Sequence, residues 1–202
     1  MRMNKHGDNE KFVRWLQGVL GVQVDGWAGV DTQSTLERLL TRPDAAIDLK
    51  PSQTAIDLIH SLESFKPNAY KDPGSKNGLP ITIGWGSTTD LDGKPIKLGN
   101  VWTREYADRV FARDLANFSA KVTQHLGGAP TTQNQFDAMV SFAYNVGHAE
   151  GGFKTSTLLK KHKAGDYAGA KAEFARWNKN DGKVMNGLIR RRAAEADLYG
   201  RK

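Results

Sequence analysis

The sequence predicts an α+β protein, mainly helical, with one small antiparallel sheet. Apolar residues recur at helical spacing in several runs along the chain. β-type patterning is confined to a short stretch, Ile81-Thr82-Ile83, set among turn formers between residues 69 and 100. The chain has 202 residues, 39% hydrophobic and 25% charged, which suits one packed domain with a small appendage. No apolar run of about 18 residues occurs, so no membrane-spanning helix is expected. The opening residues lack the apolar segment of a signal peptide, so none is expected. Cysteine is absent, which excludes disulfides and thiolate metal sites and is compatible with a cytosolic origin.

Residues 1–48 read as a small helical domain and residues 49–202 as the main one. Phe12, Val13, Leu16, Val19 and Leu20 repeat at helical spacing, and Gly21 can end that helix. Asp25-Gly26 supplies a tight turn. Asp31 then reads as the N-cap of a second helix bearing Leu36, Leu39 and Leu40. Pro43 and Pro51 bracket a linker. A helix opens at Pro51 or Ser52 and carries Ala55, Ile56, Ile59 and Leu62 on one face, with Glu63 where it runs out. Residues 69–100 read as the irregular sheet lobe. Thr103 starts a long helix that Gly127 to Pro130 stop. Thr131 or Thr132 caps the next, whose dense apolar positions (Phe136, Met139, Val140, Phe142, Ala143, Val146) mark it as central and buried. Helices near 155–163, 166–176 and 188–199 complete the chain.

The candidate chemistry lies between Glu63 and Thr88. Glu63, Asp72 and Thr82 offer two carboxyls and a hydroxyl near a helix end, a turn and a strand. That kit suits glycosidic bond cleavage: one carboxyl protonates the leaving oxygen, and the other side of the site holds and activates water. Two acids at this spacing also occur on ordinary solvated surfaces. Trp85, flanked by Gly84 and Gly86, is either a flat apolar face for a sugar ring or a core aromatic. The net charge is +7; residues 1–50 balance seven basic against seven acidic side chains, so the surplus lies beyond them. Lys160-Lys161-His162-Lys163 and Arg190-Arg191-Arg192 supply much of it, as a surface for anionic polymers or as a solvated helical face.

Several blocks in order add a resemblance. They are Glu63 and Asp72 with eight residues between them, T-I-G-W-G-S-T from Thr82, Q-x-x-F-D-A-M-V-S-F-A-Y-N-V-G from Gln133, F-K-T-S-T-L from Phe153, and Trp177 followed by G-L-I-R-R-R-A-A-E-A-D-L. Over residues 51–200 the chain resembles the phage-type lysozymes, the muramidases of glycoside hydrolase family 24 that serve as phage endolysins. The resemblance implies a lysozyme-like, two-lobed catalytic domain that hydrolyses the β-1,4 bond between N-acetylmuramic acid and N-acetylglucosamine in peptidoglycan. Glu63 matches the general acid, Asp72 the second catalytic carboxylate, and Thr82 the hydroxyl that helps hold the attacking water. Thr88, Tyr144, Asn145 and Ser156 match cleft positions that contact sugar, with packing or capping as the competing reading for each. The stretch between Asp72 and Thr82 is longer than is usual in the family, so its turn has to loop outward. Ser87 stands where many members have His.

The pattern L-Q-x-x-L-G-V-x-V-D-G-W-A-G-x-x-T-x-x-x-L from Leu16 resembles a small helical peptidoglycan-binding domain. The alternative is a plain N-terminal extension of the main core. No metal and no cofactor is implied. The implied partner is peptidoglycan, with the basic C-terminal region engaging an anionic outer-membrane surface, and a monomer is expected. The expected location is the host cytoplasm until a separate pore-forming protein gives access to the periplasm. A lytic transglycosylase on the same fold and a non-catalytic wall binder are the competing functions. Nucleic acid is not expected, since neither helix-turn-helix nor zinc-finger spacing is present.

Overall fold

The computed structural model describes residues 10, 13–14, 16–17, 23–26, 29–30, 32–33, 49–71 and 78–201. The chain divides into two compact units, Met1–Ala46 and Ile47–Lys202. Within the first, the buried Gln17 amide does the stitching. Its Nε2 donates to Asp25 Oδ1 at 2.8 Å and to Thr32 Oγ1 at 3.1 Å, and its Oε1 accepts from the Gly26 N–H at 2.9 Å. Gly26 has φ +78, and a Cβ there would lie 2.9 Å from Glu10 Cγ, so the turn tolerates only glycine well. The expected apolar positions Phe12, Val19, Leu20, Leu36, Leu39 and Leu40, and the Asp31 cap, lie outside the described residues.

The second unit begins with α1, Gln53–Leu62. Ser52 caps it by accepting from the Thr54 N–H at 3.2 Å. Asp137, fully buried, accepts from both the Ser52 N–H and its hydroxyl, so the start of α1 is fixed to the middle of the chain. Strands β1, Lys66–Lys71, and β2, Ile81–Gly84, pair antiparallel with Tyr70 opposite Thr82 and Lys71 opposite Ile81. Gly84 adopts φ +66, and a Cβ there would meet Ala107 and Trp102 at 3.1 and 3.2 Å, so glycine lets the sheet sit close on the following helix. The loop to Val101 carries only isolated bridges, such as Thr89 with Pro95, which matches an irregular lobe.

Helix α2 spans Arg104–Leu126, capped by Thr103 and closed by Gly127 in the left-handed region. Helix α3, Gln133–Val146, opens on a capping box made by Thr132 and Gln135. Every residue of α3 from Gln135 to Ala143 is buried, as the apolar density of the sequence implies. It packs against α1, α2 and the last helix, and so forms the centre of the core. Around its C-terminal half, Phe142 meets Phe174 at 5.4 Å and Trp177 at 5.2 Å in edge-to-face pairs.

Two features differ from expectation. The helix expected over 166–176 is α-helical only over Tyr167–Glu173 (α5, following α4 at Thr157–Lys163); Phe174–Arg176 tightens into a 3-10 turn whose Phe174 carbonyl accepts from the Trp177 N–H. A two-residue hairpin follows, β3 Lys179–Asn180 with β4 Lys183–Val184. Its turn places Asp181 and Gly182 at φ 47 and 77, the left-handed pair that an Asp-Gly dipeptide favours. Helix α6, Asn186–Tyr199, ends the fold. No helix among the described residues is long and apolar enough to cross a membrane.

Candidate active site

Glu63 occupies the C-cap of α1, with its N–H on the Ile59 carbonyl and its backbone extended. The helix ends there because the chain must turn into β1 three residues later. Its side chain is 25% exposed and points into a cleft of about 640 Å³ lined by Leu62, Asn145, Trp177, Lys179, Met185 and Arg191, among others. Arg191 of α6, itself buried, donates from Nη1 to Glu63 Oε1. The second oxygen, Oε2, faces Gly86, at 4.0 Å from where a Cβ would stand. Gly86 has φ +99, so the turn after β2 needs glycine for its backbone and brings the sheet lobe up to the carboxyl.

That turn is fixed from below. Ser87 donates to Asp114 Oδ2 at 2.8 Å, and Arg113 holds Asp114 Oδ1 at 2.6 Å together with the carbonyls of Thr89 and Asp90. The Tyr144 hydroxyl donates to the Trp85 carbonyl at 3.1 Å. Burial pushes the Tyr144 phenol up, with the charges of Asp114 and Glu63 adding to it, so it serves as a neutral donor.

Behind Arg191 lies a buried ionic cluster. Glu195 Oε1 accepts from Arg191 Nε at 3.2 Å, from Arg192 Nη2 at 3.2 Å and from the Ser141 hydroxyl at 2.9 Å. Glu195 Oε2 pairs with Arg192 Nε at 2.9 Å. Arg192 also donates to Asn145 Oδ1 at 2.9 Å and lies 4.8 Å over the Phe142 ring. Burial raises the Glu195 carboxyl, and the two guanidiniums and Ser141 oppose that rise. Arg191 and Arg192 were expected to add to a basic surface; they turn inward instead, because an acid four residues after the first lies on the same helix face. His162 is likewise buried, and Lys161 is paired with Glu173 at 2.7 Å, which leaves Lys160, Lys163 and Arg190 exposed in those two runs.

Of the sequence-derived candidates, Glu63 and Asn145 line one cleft. Tyr144 stands beside them, holding the loop. Asp72 follows the last residue of β1 and lies outside the described residues. Thr82 is in β2 with its hydroxyl on the Pro80 carbonyl at 3.3 Å. Thr88 is exposed, and its carbonyl accepts from the Ile96 N–H.

At two residues the packing or capping reading fits the structure. Trp85 is 3% exposed: His60 stacks on it at 4.1 Å, Arg104 covers it at 4.9 Å, and its Nε1 donates to Asp108 at 2.7 Å, so neither ring face is open to a sugar. Ser156 is buried as the N-cap of α4, accepting from the Leu159 N–H and donating to the Phe153 carbonyl. Lys179 and the Glu195 cluster were missed; the Asp-Gly turn of the hairpin and the four-residue spacing of Arg191 and Glu195 were the signals. A larger, mostly apolar groove of about 820 Å³ runs along α1 and α2 past Ile56, Phe111 and Leu115, but Glu63 does not line it. No cluster of metal-ligating side chains occurs among the described residues.

A helical body and a small sheet meeting at a polar cleft, with one carboxylate held on a buried arginine, define a lysozyme-like protein. The sequence profile of the phage lysozyme family, described as "Phage lysozyme", matches residues 60–195. The endolysin of Bacillus phage PZA is 43% identical over 149 residues, covering 73% of this chain and 54% of that protein. The endolysin of Escherichia coli O157:H7 phage FAHEc1 superposes with a TM-score of 0.65 at 37% identity, covering 76% of this chain and 94% of that one. The muramidase domain of SpmX from Asticaccaulis excentricus superposes at a TM-score of 0.64 and 30% identity, covering 76% of this chain and 99% of that one. The chain belongs to the phage lysozyme family. It spans about half the length of the Bacillus phage endolysins it matches.

Proposed function

We propose that this protein is a phage endolysin, a muramidase that hydrolyses the β-1,4 bond between N-acetylmuramic acid and N-acetylglucosamine in peptidoglycan. The observation that carries this reading is Glu63: a carboxyl at a rigid helix end, one oxygen held by Arg191, in a polar cleft of about 640 Å³. Glu63 gives its proton to the bridging oxygen as the bond to C1 breaks. Water adds to C1 from the opposite face, and its proton passes to Asp72. Arg191 stabilises the carboxylate that appears on Glu63 as the proton leaves. Thr82 helps place the water, giving up a hydrogen bond to Pro80 that is already long. Inversion at C1 follows if the two carboxyls stand about 6.5–9.5 Å apart.

Residues 1–48 act in this reading as a wall-binding domain. The protein works as a monomer and reaches the periplasm from the host cytoplasm through a separate pore-forming protein. Attraction to an anionic outer membrane would rest on Lys160, Lys163 and Arg190.

The test is Glu63→Gln on purified peptidoglycan, with mass spectrometry of the sugar ends. The expected result is loss of about 10²–10⁴ in rate, the usual contribution of general acid catalysis, with reducing ends released by the wild type. Anhydro-sugar ends would establish a transglycosylase instead. Unchanged activity in the variant would remove the enzymatic reading.

A further inference from the structure

The ionic cluster behind Arg191 poses a physical question. Glu195 is fully buried, and so are the two arginines it holds. A buried ion network of this kind is a poor way to stabilise a fold, because desolvation of three charges offsets most of their attraction, and an apolar packing of the same volume often does as well. The cluster does have a geometric regularity. Its two guanidiniums leave the same carboxylate in different directions, and each ends on a side chain of the cleft: Arg191 on Glu63 and Arg192 on Asn145.

We infer that Glu195, which does not line the cleft, is the positioning residue that aims both Glu63 and Asn145, by holding the two guanidiniums that reach them. Each guanidinium is a flat, rigid donor fork, so fixing one edge fixes the direction of the other. Arg191 is gripped at Nε by Glu195 and at Nη2 by the Ser141 carbonyl at 3.3 Å, which leaves Nη1 aimed at Glu63. Arg192 donates from Nη2 to Glu195 Oε1, sets its Nε in ion-pair contact with Oε2 and rests on Phe142, and the same Nη2 reaches Asn145. Ser141 and Asn145 are one turn apart on α3 and Arg191 and Glu195 one turn apart on α6, so two rigid helices set the spacing. The inference deepens the muramidase reading and rests on Glu63 as the acid.

The full chain is assayed on purified peptidoglycan as kcat and KM, with thermal unfolding in parallel, for wild type, E195Q, E195D and E63Q.

The expected result for E195Q is a kcat about tenfold or more below wild type, the scale of a misplaced catalytic group. Its KM should rise through Asn145. E195D keeps the charge but shortens the arm, so its kcat should stay low as well. Folded E195Q with wild-type kcat and KM overturns the inference. So does a loss of activity that only follows the loss of folded protein. Should E195Q not fold, E195D decides alone: wild-type kcat overturns the inference and a lowered kcat in folded protein supports it. Activity surviving in E63Q is a separate outcome, which removes the muramidase reading and leaves Glu195 nothing to aim.

Discussion

Trp85→Phe separates a sugar platform from a packing pillar. The indole has no free face: His60 lies on one side at 4.1 Å, Arg104 at 4.9 Å, and Phe65 tilts against it at 5.4 Å. Phenylalanine puts one six-membered ring where the five-membered ring of the indole stood and loses the fused outer ring and the Nε1–H. The lost hydrogen bond to Asp108 is worth about 1 kcal/mol, since Asp108 is exposed and water can replace the donor. The missing ring leaves a small cavity and lost burial of about 1–2 kcal/mol. The sum is about 2–3 kcal/mol, which for a unit of this size lowers Tm by roughly 4–12 °C. Thermal unfolding by circular dichroism reads this directly, and initial rates on peptidoglycan read KM below the transition. The expected outcome is a clear fall in Tm with KM near wild type. An unchanged Tm with a KM raised severalfold would refute the reasoning and restore the indole as a sugar contact.

Ser156→Ala should cost about 1 kcal/mol, the usual worth of a helix cap, with kcat and KM unchanged; a change in KM at constant stability would place Ser156 in the site after all. His162 is held between Thr131 and Tyr199, and burial pushes it down to about 4 from its ordinary value of 6.5. The unfolded chain therefore takes up a proton on this ring before the folded protein does, so this contribution is complete above pH 6.5 and is lost as pH falls towards 4. Urea unfolding should show about 3 kcal/mol of acid-dependent loss in wild type that is missing from His162→Gln; parallel pH slopes in the two proteins would contradict it. Asp137→Ala should lower stability by about 2–3 kcal/mol, because the Ser52 N–H and hydroxyl lose a buried charged acceptor.

The helical framework was legible because its signals are local. Thr103, Thr132 and Gly127 mark helix ends by chemistry that acts within one turn, and the apolar density of α3 announces its burial. Glu63 was legible as a residue at a helix end beside an apolar face. What it pairs with was not, since Arg191 lies 128 positions away and reaches it only after α6 packs on α3. The basic run at Arg190 shows the same limit. Composition reports a charge but not the direction in which it points, and only Glu195 four residues later hinted that two of the three arginines turn inward. Trp85 was open between two readings because an aromatic between glycines looks alike in a ligand site and in a close sheet–helix contact. Gly84 decides it: its missing side chain makes room for Trp102 and Ala107.

The tether between Asp137 and Ser52 has a mechanical side. Helix α1 is bolted at its start to α3 and at its finish, through Glu63, to α6. A strut pinned at both ends does not swing. The carboxyl at its end therefore stays put, a fixed anvil in the wall of the cleft.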